Sequence, residues 1–149
     1  MTVHELMSRD PACCTPATPL NEVAKMMVEC DCGEIPVVDN MQSLLPIGVI
    51  TDRDITCRTI ANDQNPLQMV AGDCMSTPCL TIKIDASLED CCQILELHRV
   101  RRLPVVDDSG VLCGIVSQAD IARKVDEYAA EVLKQVSQPS RRLGRWEPQ

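Results

Sequence analysis

Two short strings in this chain place a hydroxyl three residues ahead of a carboxylate: Thr51-Asp52-Arg53-Asp54 and Ser117-Gln118-Ala119-Asp120. Each follows an apolar, β-branched run and precedes a stretch with helical spacing, so both groups would stand where a strand hands over to a helix. At such a junction the first helical N–H groups lack partners and the helix dipole presents its positive end, which suits phosphate oxygens. A carboxylate held there can accept from the two hydroxyls of a ribose. Taken alone, either string also reads as an ordinary N-cap. Arginines extend the first string: Arg53 lies inside it, Arg58 one turn further on, and Arg101-Arg102 precede another apolar run. Guanidinium groups pair with phosphate in a bidentate fashion. Thr51, Arg53, Asp54, Arg58, Arg101, Arg102, Ser117 and Asp120 are therefore the candidate nucleotide-binding residues.

Other reactive side chains are numerous but poorly patterned. The ten cysteines fall at 13, 14, 30, 32, 57, 74, 79, 91, 92 and 113. None forms a C-x-x-C pair, the common zinc-ribbon spacing, so no metal cofactor is expected. Most read as small buried hydrophobes, and Cys30-Asp31-Cys32 with the vicinal pairs leaves a cysteine-based metal or redox sensor as the alternative function. No phosphate-binding Gly-rich loop, H-E-x-x-H or G-x-S-x-G string is present. With two histidines and no base–nucleophile pairing, catalysis is not expected and no catalytic residue is assigned.

The elements that must carry these groups come twice. Met7-Ser8 recurs as Met75-Ser76, and Ile35-Pro36-Val37-Val38-Asp39 recurs as Leu103-Pro104-Val105-Val106-Asp107. Gly48-Val49-Ile50-Thr51-Asp52-Arg53-Asp54-Ile55 recurs as Gly114-Ile115-Val116-Ser117-Gln118-Ala119-Asp120-Ile121, the first copy being two residues longer before its glycine. An insertion of that size belongs in a hairpin loop, where added length costs little. Each copy predicts a short strand (near 12–15 and 79–82), then a helix from Leu20 or Leu88 with Thr18 or Ser87 near its N-cap. A buried hairpin follows (35–38 with 47–51, and 103–106 with 112–117), and then a helix from Asp54 or Asp120. The fold class is α+β, an α/β sandwich of two β-α-β-β-α repeats at 1–66 and 67–136. Each repeat is too small to bury a core alone, so one continuous core shared by both is expected. Residues 137–149 read as a flexible basic tail.

Composition narrows the partners. A net charge of −8, from 14 basic and 22 acidic residues, disfavours non-specific binding to nucleic acid or an anionic membrane. One Trp, one Tyr and no Phe leave no aromatic platforms for stacking bases. No apolar run is long enough to span a bilayer, and the N-terminus lacks a signal-peptide pattern, so a cytoplasmic location with reduced thiols is expected.

The doubled strings "PVVD … GVITDRD" and "PVVDDSGVLCGIVSQAD" resemble the CBS domain, named after cystathionine β-synthase. The two copies resemble a CBS pair, its repeats related by a pseudo-twofold axis, as in small stand-alone bacterial proteins of that kind. The resemblance implies a regulatory homodimer that binds AMP, ADP, ATP, NAD or S-adenosylmethionine between its repeats and signals to a protein partner not named by the sequence. It also implies that the Thr/Ser-x-x-Asp string of one repeat faces the pre-strand residues of the other. Thr51, Arg53 and Asp54 would then face Arg101 and Arg102, while Ser117 and Asp120 would face Gly33 and Glu34. The first cleft is expected to take phosphate and the second to resist it.

Overall fold

The computed structural model describes residues 1–137. Apart from Ser137, the stretch expected as a basic tail lies outside the described residues. Helix α1 (Val3–Leu6) and strand β1 (Ser8–Arg9) open the chain, followed by α2 (Leu20–Cys30), the hairpin β2 (Glu34–Val38) and β3 (Pro46–Thr51), and α3 (Asp52–Arg58). The second half runs α4 (Ala71–Cys74), β4 (Ile82–Lys83), α5 (Leu88–His98), β5 (Arg102–Val106), β6 (Leu112–Ser117) and α6 (Gln118–Val136).

The two hairpins are near copies. Pairing runs from Glu34↔Thr51 to Val38↔Pro46 in one and from Arg102↔Ser117 to Val106↔Leu112 in the other, with the register shifting at Val37/Val38 and at Val105/Val106. The aspartate closing each repeated string organises the turn. Asp39 Oδ1 accepts from the N–H groups of Asn40 and Leu45, and Asp107 Oδ1 from those of Ser109 and Val111.

The two halves exchange their leading segments. Strand β1 pairs antiparallel with β6 of the second half, giving a sheet ordered β1-β6-β5-β4. Ser76 pairs in the same way with Val49 of the first half, and Cys14 bridges to Val37. The strand expected over 12–15 is thus reduced to one bridge at Cys14. Pro11 and Pro16 flank it and offer no N–H to a longer ladder. The second expected strand falls at Ile82–Lys83, slightly later than 79–82.

Instead of one continuous core there are two. The first gathers Leu20, Val23, Ile35, Val37 and Ile50 with Ala71 and Cys74 from α4. The second gathers Cys91, Leu95, Leu103, Val105 and Val116 with Val3 and Leu6 from α1. Each sheet is closed by a helix of its own half and by the segment lent from before the other repeat, so the halves are tied by exchange while their cores stay separate. The helix expected from Asp54 begins two residues earlier, at Asp52: α3 has seven residues and buries none of them. It gives way at Thr59, whose hydroxyl donates back to the Ile55 carbonyl at 2.6 Å.

Candidate functional site

Thr51 and Ser117 each end a strand and N-cap a helix, and in both places the aspartate three residues on completes a reciprocal capping box. The Asp54 N–H donates to Thr51 Oγ1 at 3.0 Å and the Thr51 N–H to Asp54 Oδ2 at 3.1 Å. The matching distances at Ser117 and Asp120 are 3.1 and 2.9 Å. Arg53 N–H donates to Asp52 Oδ1 at 2.8 Å. Amides of the first turn of α3 that were expected to face a phosphate are thus already satisfied, and anion recognition falls to side chains.

Those side chains meet in a cavity of about 610 Å³ between the halves. The first half contributes Gly33, Glu34, Thr51, Asp52 and Arg53; the second contributes the run from Arg99 to Arg102. Main-chain bonds set this geometry: Asp52 N–H donates to Gly33 O at 3.0 Å and Gln118 N–H to Arg101 O at 2.7 Å, holding each pre-strand segment against its own helix start. Of the eight candidate residues, Thr51, Arg53, Arg101 and Arg102 line this cavity.

The other four sit apart from its wall. Asp54 stands behind Thr51, with Oδ1 3.3 Å from Ser76 Oγ and 3.7 Å from Arg58 Nε. Arg58 is turned towards the exchanged segment, donating to the Met75 carbonyl at 3.0 Å and to Ser76 Oγ at 3.2 Å. Asp120 is buried and paired with Arg123. Close to it, Gln118 and Ile121 line a different groove, between α5 and α6.

Glu34 departs from expectation. It was to face Ser117 and Asp120, yet it shares the cavity with Thr51, Arg101 and Arg102. The cause is the hairpin register, which sets Glu34 directly opposite Thr51. Its Oε2 is buried without a hydrogen-bond partner among the described residues. Burial pushes its carboxyl up to about 7; Arg102 draws it down, and Asp54 raises it further. Arg99, in the left-handed conformation that ends α5, adds a fourth guanidinium to the cavity wall. Only the proximity of Arg99 to Arg101 in the sequence could have signalled it.

All ten cysteines are free. Burial raises the Cys14 thiol to about 12 and those of Cys79 and Cys91 to about 11. Among the described residues, no group of three or more His, Cys, Asp or Glu side chains could hold a metal ion.

A family model for the CBS domain matches the chain twice, at residues 3–58 and 71–127. The chain belongs to the CBS-domain family. CBS domain-containing protein YhcV of Bacillus subtilis is 36% identical over 138 residues, covering 91% of this chain and 95% of that protein. Hypoxic response protein 1 of Mycobacterium tuberculosis is 31% identical over 139 residues, covering 93% and 95%. The crystal structure of Hypoxic Response Protein I with two coordinated zinc ions has a TM-score of 0.73 at 31% identity, covering 83% of this chain and 98% of that one. The crystal structure of CBSX2 in complex with AMP has a TM-score of 0.75 at 24% identity, covering 86% and 98%. The CBS pair is thus a mixed helix and sheet fold in which both repeats are present. No described helix is long and apolar enough to cross a membrane.

Proposed function

We propose that this CBS pair is a cytoplasmic, non-catalytic regulatory module that binds an adenosyl ligand between its repeats and transmits the event through the shape of a homodimer. The observation that carries the reading is the cavity itself: Thr51 and Arg53 from one half converge with Arg99, Arg101 and Arg102 from the other. Its volume suits a small ligand, and its arginines favour a phosphate-bearing one. AMP, ADP, ATP or NAD fits that charge better than the cationic S-adenosylmethionine. Asp54 lies outside the cavity's lining but next to Arg53 in it, and its Oδ1, which among the described residues makes only longer contacts to Ser76 and Arg58, is the oxygen we assign to ribose hydroxyls that reach past the wall. Ser117 and Asp120 are its counterparts in the second half. A ligand spanning both halves binds best to one relative setting of them, and a population shift needs only that difference in affinity.

Arg102→Ala or Arg101→Ala should weaken AMP or NAD about tenfold in calorimetry, the worth of one charge-assisted contact. Failure of the unsubstituted protein to bind AMP, ATP and NAD would overturn the reading. A second reading, a cysteine-based metal or redox sensor, draws support from the zinc of the Hypoxic Response Protein I structure and from the exposed Cys30 thiol two residues from Cys32. Metal analysis of the purified protein tests it: stoichiometric zinc would favour this second reading.

A further inference from the structure

The arginine-lined cavity contains one group at odds with its charge. Glu34 lies among guanidinium groups, but among the described residues no ion pair or hydrogen bond engages its Oε2, which is buried. A buried acceptor left without a donor is costly, and a fully ionised phosphate chain brings no donor to relieve it. Each further phosphate instead adds negative charge near this carboxylate and competes with it for Arg102. Like charges brought together out of water repel strongly.

Building on the nucleotide reading, we infer that Glu34 sets how many phosphates the cavity accepts, favouring a monophosphate over di- and triphosphates. The groups that face it come from every neighbouring element: Arg102 at the start of β5, Thr51 at the end of β3, Asp54 on α3 and Cys79 ahead of β4. Asp52 and the arginines complete the cavity around it. Of the cavity's arginines, Arg102 acts on Glu34 most directly, and a phosphate would claim that same guanidinium. Because the carboxyl titrates near neutrality, the discrimination should be strong at pH 8 and fade by pH 6 as Glu34 takes up a proton.

The test is calorimetry of the full chain and of Glu34→Gln with magnesium-free AMP, ADP and ATP at pH 8 and pH 6. The substitution keeps the side chain's shape, removes its charge and puts an NH2 donor in place of one carboxylate oxygen, so the charge effect is read from the difference between the nucleotides and between the two pH values. At pH 8 we expect Glu34→Gln to tighten ATP about tenfold and AMP about two- to threefold, with ADP between them. At pH 6 the gains should shrink. Equal gains for all three nucleotides, no gain, or gains unchanged between the two pH values would overturn the inference while leaving the nucleotide site intact. Absence of binding by both proteins to all three nucleotides would overturn the nucleotide reading and this inference with it.

Discussion

Asp39, Asp107, Asp54 and Asp120 occupy matching places in repeated strings, yet each has a local duty that a sequence shows only as an acid. The first two hold hairpin turns, and the last two hold capping boxes. Glu34 has no such duty, and its cost is measurable. In an unfolded chain its carboxyl would titrate near 4.5, but in the fold it does so near 7. A raised carboxyl favours the protonated form, so its contribution is fully present below about pH 4.5 and is lost as pH rises through 7. Glu34→Gln should therefore match the unsubstituted protein in stability near pH 4.5. It should exceed it increasingly up to pH 8, by at most about 3 kcal/mol. Urea unfolding of both proteins across that range measures the difference. A difference that does not change with pH would show that Glu34 is not the buried charge described. The hydroxyl–carboxylate pairs were legible because they sit in doubled strings, and Arg101-Arg102 because they stand just ahead of one, where the other copy has Gly33-Glu34. The position of Glu34 was not, because the apolar string that marks the hairpin begins at Ile35, and the pairing that sets Glu34 opposite Thr51 lies one residue ahead of it.

At the scale of elements, the repeat was readable down to the hairpins, since two copies of one apolar string leave little freedom in register. The exchange of leading segments was not. Met7-Ser8 and Met75-Ser76 announce themselves as equivalent, but pairing between distant segments leaves no local pattern that says which sheet receives which. Gly48 marks a crossing of the exchange where backbone comes close. A Cβ there would lie 2.6 Å from the Ser76 carbonyl oxygen and 3.1 Å from Thr77 Cγ2. The same strand region makes both bonds to Ser76, Ser76 N–H to Val49 O at 2.8 Å and Val49 N–H to Ser76 O at 3.0 Å. Backbone cannot withdraw as a flexible side chain can. At Gly33, by contrast, a Cβ would meet only the end of the Asp52 side chain, 3.0 Å away. Gly48→Ala should destabilise by about 1–3 kcal/mol and lower Tm by several degrees, with Gly33→Ala costing less. Thermal unfolding of the two variants checks the order. Equal losses would mean that the Val49–Ser76 crossing is not the tight point.

At the scale of the whole molecule, most of helix α6 is left uncovered among the described residues. Helix α6 runs for 19 residues, yet from Val125 to Gln135 every side chain is exposed. Val125, Tyr128 and Val132 are 47%, 67% and 39% exposed, and they fall three and four residues apart, forming one apolar stripe. The stripe continues an apolar groove of about 610 Å³ between α5 and α6, walled by Leu95, Val100 and Ile121. An isolated helix of this length is marginal in water unless its apolar face is packed, and a contiguous exposed apolar strip is a common mark of an association surface. A second copy of the chain presents the same stripe and groove, and a twofold contact needs only one self-complementary patch. Sedimentation at micromolar concentration should therefore find the unsubstituted protein dimeric. The double substitution Val125→Glu and Tyr128→Glu should make it monomeric, because it places four like charges across a twofold seam. Neither residue belongs to either core, so the thermal transition of the two halves should persist in the variant. A monomeric parent, with or without nucleotide, would remove the homodimer from the proposed mechanism. A variant that stays dimeric would move the interface away from α6.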